Sequence, residues 1–502
     1  MSLIFANIDV AFKALAPRSS DWLSIAPEIA VAGLSLFCLL QAMLLPANLR
    51  WLISATARTG LVLVMAMALV PHAGWKLTED VATFAGLLRQ NLPFEVRLVF
   101  LFSALLTSFV ADRFLRDRGA AVADYHHVLL VVTAAFMLLV QSNHFVTFFV
   151  ALETAAVGLY ILVGYLRKSD ASLEAGVKYL VAGGLSSALL LMGMVLVYGS
   201  LGAVGVADSL NFTQIGNALA AGKGSALTLA GVALILGGAA FKLGAFPFHT
   251  WIPDVYQGAP TPTTAFLATA SKAAGAFTLL LLVTGPFVAL AHKIAPLLAV
   301  IAVVTLLVGN LAALATTDVK RALALSGVSH AGFILAAITA ALAMPTVTAF
   351  DYNAEQTIVF YLLAYIIGTF LTTQALASMP ATEDHRRPLL ALRGLMRRAP
   401  ILAGALGFGI GSLAGVPPTV GFIAKLLILV LLVKAKLWWI LGAALISVAV
   451  SIHYYFSILR EAVVRPTEDG QELAPLEVSF SARFVIGALA AASILGGLLI
   501  LS

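Results

Sequence analysis

The chain has 502 residues, of which 61% are hydrophobic and 11% charged, with a formal net charge of +6. Soluble domains carry roughly 25% charged residues, so this composition excludes a soluble globular core and requires lipid around most of the chain. Cys38 is the one cysteine and no histidines form an HxxxH-type pair, which argues against an internal disulfide and against a redox metal in this chain.

Apolar runs as long as a membrane helix, about 20 residues, recur along the whole sequence. We therefore predict an all-α polytopic membrane protein with about fourteen transmembrane spans. The first run lacks a small-residue cleavage site and is predicted to be a retained helix. The predicted spans are 24–45, 52–73, 95–114, 126–142, 144–166, 173–199, 228–257, 262–290, 294–316, 322–343, 352–379, 399–432, 436–460 and 480–501.

Basic residues concentrate in the loops that follow odd-numbered spans, for example Lys320 and Arg321 after the ninth. Basic loops stay on the cytoplasmic side, so we predict that both termini face the opposite, periplasmic side. Because these residues lie in short loops, the net positive charge indicates topology and not a nucleic-acid-binding patch. The other residues in this pattern are Arg50, Arg58, Arg113, Arg116, Arg118, Arg167, Lys168, Arg386, Arg387, Arg393, Arg397, Arg398, Arg460 and Arg465.

Two predicted spans are interrupted by proline. The seventh contains Pro247, and the twelfth contains Pro417 and Pro418. Proline removes a backbone donor and clashes with the preceding turn, so each helix should break there. Because the broken spans stand five apart, we predict two inverted five-helix repeats, spans 4–8 and 9–13, a transporter architecture. The predicted divisions are 1–125 for spans 1–3, 126–290 and 291–461 for the two repeats, and 462–502 for a loop and the last helix.

Five ionisable residues lie inside predicted spans: Glu153, Lys178, Lys242, Lys272 and Lys425. A charge in the hydrocarbon costs several kcal/mol, so such residues are functional candidates. Desolvation makes a lysine easier to deprotonate and a nearby carboxylate opposes this, which suits proton transfer. We predict a switchable pair of Glu153 and Lys178, and a relay through the other three lysines that uses intervening water.

Each of these charges also has a structural interpretation. The predicted pair could simply lock two helices, and Lys272 could extend its amine toward an interface. Lys242 and Lys425, beside the broken helices, are harder to explain in this way.

Three further residues are possible accessories to the relay. His249 follows the first break, and His330 lies in the tenth span; both could shuttle protons or bond to backbone groups. Asp254 could hold the break near Pro253 or sit at the membrane surface.

The segment around the first break strongly resembles the signature of the antiporter-like membrane subunits of respiratory complex I. Residues 241–260 read FKLGAFPFHTWIPDVYQGAP. Residues 266–272 and 320–332 resemble the N-type subunits in particular, and residues 413–425, LAGVPPTVGFIAK, fit the same family. The resemblance extends from about residue 95 to residue 460.

By position, the resemblance implies a fifth-helix carboxylate at Glu153 with its partner at Lys178. It likewise implies broken-helix lysines at Lys242 and Lys425 and a connecting lysine at Lys272. M-type subunits carry a glutamate where Lys425 stands, and L-type subunits extend well past their last helix, so the N type is favoured.

The family implies a proton-translocating membrane-arm subunit of NADH:quinone oxidoreductase in a bacterial inner membrane. This chain would hold no cofactor, and FMN, iron–sulfur clusters and quinone would belong to partner subunits. Its partners would be the M-type subunit and the small K-, J- and A-type subunits. Three alternatives remain open from the residues: a subunit of a multi-subunit sodium/proton antiporter, a subunit of a related hydrogenase or ferredoxin-linked complex, and a non-transporting structural subunit.

Overall fold

The structure is a computed structural model that describes residues 19–69, 82–89, 93–380, 384–385, 388–464 and 475–498. Within these ranges the regular secondary structure is helical apart from two short antiparallel hairpins. One pairs β1 (Ala82–Thr83) with β2 (Leu88–Arg89), and the other pairs β3 (Thr348–Ala349) with β4 (Tyr352–Asn353). The expected ends of span 2 at residue 73 and of span 14 at residue 501 lie outside the described residues, as do Arg386, Arg387 and Arg465.

The helices follow the predicted spans in order. Before the first predicted repeat lie α1 (Ser19–Ser24), α2 (Ala26–Leu44), α3 (Trp51–Leu69) and α4 (Phe94–Arg116). The next are α5 (Val122–Gln141), α6 (Phe145–Val163), α7 (Asp170–Gly202), α8 (Phe212–Ala220), α9 (Ala226–Leu243), α10 (Ile252–Gly258), α11 (Thr261–Phe266) and α12 (Lys272–Thr284). The remaining helices are α13 (Ala291–Leu314), α14 (Val319–Ala343), α15 (Ala354–Ala377), α16 (Leu395–Arg398), α17 (Pro400–Ala414), α18 (Val420–Lys434), α19 (Trp438–Val463) and α20 (Phe480–Leu498).

Thirteen membrane-length apolar helices occur in the described part of the chain, and the twelfth span appears as the two shorter helices α17 and α18. The limits differ most from the prediction in spans 7 and 8. The helix of span 7 stops at Leu243, before Pro247, because Gly244 adopts a φ of 81° that ends it. Span 8 stops at Thr284 and not at residue 290, because Gly285 and Pro286 follow directly.

Two helical segments lie at the centre of the molecule. The stretch from Thr261 to Val283 is buried throughout and almost all of α14 is buried, whereas most residues of α2 and α20 are not. A π-helical turn, Leu267–Ser271, joins α11 to α12. Single π turns widen a helix by one residue and are frequent at functional sites. Here the turn sits directly before Lys272.

Glycines let the central helices approach closely. A Cβ atom on Gly275 of α12 would lie 2.5 Å from the backbone nitrogen of Leu243, so α12 crosses the last turn of α9 almost backbone to backbone. Gly193 of α7 and Gly231 of α9 make a similar crossing, since a Cβ on either would meet the carbonyl oxygen of the other below 3 Å. These crossings set the position of Lys242 relative to Lys272.

Candidate functional site

The first helix of each broken span ends with the same backbone motif. Gly244 and Gly415 have φ values of 81° and 82°, in the left-handed region that glycine tolerates best. The N–H of Ala245 donates to the carbonyl of Ala240, and that of Val416 donates to the carbonyl of Gly411, each at 2.9 Å. This is the Schellman arrangement, which satisfies the last carbonyls of a helix that must end inside a membrane.

After the second break, Lys425 folds back onto the end of the preceding helix. Its Nζ donates to the carbonyl of Ala414 at 2.8 Å and lies 5.6 Å from the ring centre of Phe333. A Cβ on Gly415 would come within 2.9 Å of the Lys425 side chain. The absence of a side chain at Gly415 therefore makes room for the lysine beside the broken helix.

Lys272 reaches across from α12 to α14. Its side chain is buried, and Nζ donates to the carbonyl of Gly327 at 2.8 Å. A lysine that hydrogen-bonds a carbonyl inside α14 does not extend toward an interface, so the alternative interpretation of this residue is wrong.

His330 lies between these two lysines on one face of α14. Gly327, His330 and Phe333 follow one another at intervals of three residues, so they share a face of the helix, each about 4.5 Å along the axis from the next. Lys272 contacts the first of them and Lys425 the last.

The imidazole of His330 is held by hydroxyl groups from two other helices. Nδ1 lies 2.6 Å from the hydroxyl of Tyr361 on α15, and Nε2 lies 3.3 Å from that of Tyr455 on α19. The ring of Tyr365 packs 4.5 Å away, centre to centre. A histidine with a hydroxyl at each nitrogen can accept a proton at one and release it at the other.

Lys242 lies half-buried at the end of α9, beside the crossing with α12. It lines a cavity of about 10 Å³ together with Ser271, the residue that precedes Lys272. Leu152 and Ala155 of α6, which flank Glu153 in the chain, line the same cavity. Lys242 therefore faces the helix that carries Glu153.

The structure does not bring the predicted pair of Glu153 and Lys178 into contact. Glu153 accepts a short hydrogen bond from Ser187, whereas Lys178 Nζ lies 2.7 Å from Glu174 and 3.1 Å from Asp254. Both Lys178 and Ser187 lie on α7, but Ser187 stands nine residues after Lys178, about 13 Å further along the helix axis. Glu153 is level with Ser187 and is therefore too far along the helix to reach Lys178.

Lys178 belongs instead to a chain of charges at one end of the helices. Asp254 bridges Lys178 and Arg321, with its second carboxylate oxygen 2.7 Å from the Arg321 guanidinium. All three side chains are between 36% and 46% exposed in the isolated chain. Asp254 therefore lies at the surface, which was the second of the two positions considered for it from the sequence.

His249 lies between the two parts of the seventh span. Its ring packs against Phe246, with centres 5.7 Å apart, and its carbonyl accepts from the N–H of Ile252 at the start of α10. Its Nδ1 is buried without a hydrogen-bond partner among the described residues. The same described residues contain no group of three or more His, Cys, Asp or Glu that could hold a metal ion.

Sequence reasoning missed the hydroxyl groups that complete the site. Ser187, Tyr361 and Tyr455 contact the key charges, yet each looks like an ordinary helix residue in the sequence. The signal that could have found the two tyrosines is the grouping of Tyr361 with Tyr365 in the eleventh span and of Tyr454 with Tyr455 in the thirteenth. The carbonyls of Gly327 and Ala414 have no sequence signal, because any residue supplies a carbonyl.

The family model described as "NADH:quinone oxidoreductase/Mrp antiporter, TM" matches residues 142–451. The chain is 42% identical over 489 residues to the NADH-quinone oxidoreductase subunit N 1 of Opitutus terrae, covering 95% of both proteins. It superposes on a chain of respiratory complex I from Thermus thermophilus with a TM-score of 0.76 and 30% identity, covering 95% of this chain and 98% of that one. A chain of the Mrp complex from a Dietzia species has a TM-score of 0.79 at 20% identity, with 95% of each chain covered, and shows a shared fold alone.

Proposed function

The chain belongs to the NADH-quinone oxidoreductase subunit N family, the antiporter-like proton-translocating membrane subunits of complex I, and on this basis we propose which of its residues carry protons. The prediction of the family and of an all-α polytopic fold is confirmed. As a subunit of a translocase, the chain takes part in proton movement that is coupled to quinone reduction. This membership also favours the quinone oxidoreductase over the alternatives, since curated relatives that cover 82–95% of this chain are N subunits of NADH-quinone oxidoreductases.

We propose that protons move along Glu153, Lys242, Lys272, His330 and Lys425. The observation that carries the proposal is the line of Lys272, His330 and Lys425 along one face of α14. Three buried proton-binding groups, two amines and one imidazole, follow one another there, and water could connect them. Loss of a proton at one lysine removes a positive charge beside His330, which then binds a proton more readily.

In the first half, Glu153 would act as the carboxylate that sets the charge of Lys242. An ionised Glu153 favours the protonated amine of Lys242. When Glu153 is neutralised, Lys242 releases its proton more easily. The shared cavity with Ser271 supports transfer from Lys242 toward Lys272. Lys178 and Asp254 would act from the surface end, and His249 from the break, as accessories.

Two features of the chain support the proposed repeats at 126–290 and 291–461. Each repeat contains one interrupted span with a Schellman end at a glycine, and each has a lysine beside that interruption. The proposed orientation in a bacterial inner membrane, with periplasmic termini, rests on the basic residues of the loops after odd-numbered spans.

The chain is part of complex I with other subunits, and in complex I the cofactors belong to partner subunits. We further propose that FMN, iron–sulfur clusters and quinone lie in those partners, and that the membrane neighbours are the M-type subunit and the small K-, J- and A-type subunits. The half-exposed Glu153 supports a neighbour on the α6 side, because a charge facing lipid is costly.

The test of the relay is Lys242→Ala in the assembled complex, reconstituted into vesicles. We expect NADH:quinone turnover coupled to pumping to fall at least about tenfold, the scale of a lost proton-transfer group, while assembly is kept. Lys223→Ala, an exposed lysine in the loop before α9, is the matched control and should leave both unchanged. Normal turnover and proton yield in assembled Lys242→Ala complex would remove this residue from the relay.

A further inference from the structure

A second buried charge pair stands apart from the relay, where three loops meet. Lys320, at the start of α14, and Asp384, in the loop after α15, are 2% and 9% exposed, with 3.4 Å between Nζ and the carboxylate. The loop after α10 supplies the other partners of the pair. The loops after spans 7, 9 and 11 share the side that we propose to be cytoplasmic.

The pair is tied to the start of α11 by three polar contacts. Lys320 Nζ donates to the carbonyl of Ala259 at 2.6 Å. The hydroxyl of Thr261 donates to Asp384 at 2.6 Å, and its backbone N–H donates to the other carboxylate oxygen at 3.2 Å. Asp384 thus connects a surface loop to the first turn of the buried eighth span.

Two cavities meet at this pair. On the outer side Asp384 lines an open cleft of about 1000 Å³, together with the charged loops after α4 and α6. On the inner side Lys320 and Thr261 line an enclosed cavity of about 30 Å³. A cavity of this size has room for about two water molecules. The ion pair and its hydrogen bonds lie between this cavity and the cleft.

The inner cavity lies beside residues of the proposed relay. Its walls are mostly apolar and include Thr264, Ser326 and Tyr365. Tyr365 packs against His330, and its hydroxyl would lie 3.2 Å from a Cβ placed on Gly327, the residue whose carbonyl binds Lys272. Water in the cavity would therefore stand next to both proton-binding groups.

We propose that the Lys320–Asp384 pair is a gate that controls water access from the open cleft to the Lys272–His330 part of the relay. With the pair formed, the cavity is closed and a proton cannot pass. When Asp384 leaves Lys320, the cleft and the cavity join into one hydrated passage. Both are positioning residues, because they decide whether water reaches the relay and do not themselves belong to it. The inference rests on the proposed relay, which gives the passage its destination.

The experiment measures water access without measuring turnover. In the assembled complex with Cys38→Ala, which removes the one native cysteine of this chain, Ser326→Cys places a thiol on the cavity wall. The rate of its modification by 2-aminoethyl methanethiosulfonate is followed by mass spectrometry of this chain. Ser329→Cys is the matched control, since it lies on the same helix, equally buried, in contact with Asn310 and Ser447 and not with the cavity.

We expect Asp384→Asn to accelerate labelling of Ser326→Cys at least about tenfold and to leave Ser329→Cys unchanged, because removing one charge of a buried pair disrupts it strongly. Asp384→Glu, which keeps the charge, should label slowly. If Asp384→Asn fails to assemble, Thr261→Val carries the test, since it removes one hydrogen bond to Asp384 and should accelerate labelling less.

Equal labelling with and without the pair would overturn the gate, and so would an equal acceleration at both cysteines, which would mean a general loosening of α14. A failure of the relay appears elsewhere, in the turnover and proton yield of Lys242→Ala. The two results are therefore distinguishable.

Discussion

The two broken spans share their local structure but hold their lysines differently. Lys242 stands two residues before its left-handed glycine, at the end of α9, and is half-buried beside a small cavity. Lys425 stands ten residues after its glycine, on α18, and is anchored on the carbonyl of Ala414. The backbone motif alone does not decide how a lysine beside a helix break is bound.

The surroundings of the two breaks also differ in how their charged side chains are bound. Around α14, the connecting Lys272 and the second-half residues His330 and Lys425 are fixed by carbonyl and hydroxyl groups. In the first half, Glu153 binds only Ser187 directly, and the charge on Lys178 is engaged at the surface. We therefore expect substitutions in the second half to cost more, and the following variants test this comparison.

The largest effect is expected for Lys272→Met, because this residue connects the two halves. The variant keeps the side-chain volume but loses the amine that binds Gly327. Pumping-coupled turnover of the assembled complex should fall at least about tenfold, as for a lost proton-transfer group. If proton yield per NADH oxidised stays normal, protons do not pass through this lysine and the two halves work independently.

His330→Gln and His249→Gln compare a histidine in each half. His330 has a hydroxyl at both ring nitrogens, so its loss should slow pumping-coupled turnover by about three- to tenfold, which corresponds to roughly one or two hydrogen bonds. His249→Gln should slow it by less. The measurement is turnover of both variants over a range of pH. A larger loss for His249→Gln would reverse the comparison and move the proton-transfer role to the first break.

Gly275→Ala tests whether the close crossing of α12 and α9 matters. The added Cβ would lie 2.5 Å from a backbone atom of Leu243, so the helices must separate, at a cost of about 1–3 kcal/mol. We expect a lower unfolding temperature of the subunit in the purified complex and a loss of turnover of about twofold or more. Gly184→Ala is the control, since nothing lies within 4 Å of its Cβ position. Equal behaviour of the two variants would show that the crossing has room to spare.

The smallest effect is expected for Lys178→Ala. Its ion pairs with Glu174 and Asp254 are about half exposed, and such pairs contribute only about 0–1 kcal/mol. Turnover and proton yield should change by less than about twofold. A tenfold loss would contradict the surface assignment and would return Lys178 to the relay that the sequence predicted.

Much of the fold follows from sequence because its causes are local. Runs of about 20 apolar residues form membrane helices wherever they occur, and proline ends them, so the spans and both interruptions were predictable. The limits of spans 7 and 8 were less predictable. The two helices end at Gly244 and Gly285 although the sequence that follows is still largely apolar, and hydropathy does not detect the backbone conformation of a glycine.

The sequence by itself determined the family, the order of helices and the charged candidates, since buried charges in apolar runs are costly enough to stand out without any partner being known. Only the tertiary structure decided which charges meet. Partners such as Ser187 for Glu153, Gly327 for Lys272 and Asp384 for Lys320 come from other helices or loops, 34 to 64 residues away in the chain. A hydrogen bond depends on where helices cross, and small residues such as Gly275 set those crossings through close backbone packing, which leaves no periodic trace in the sequence.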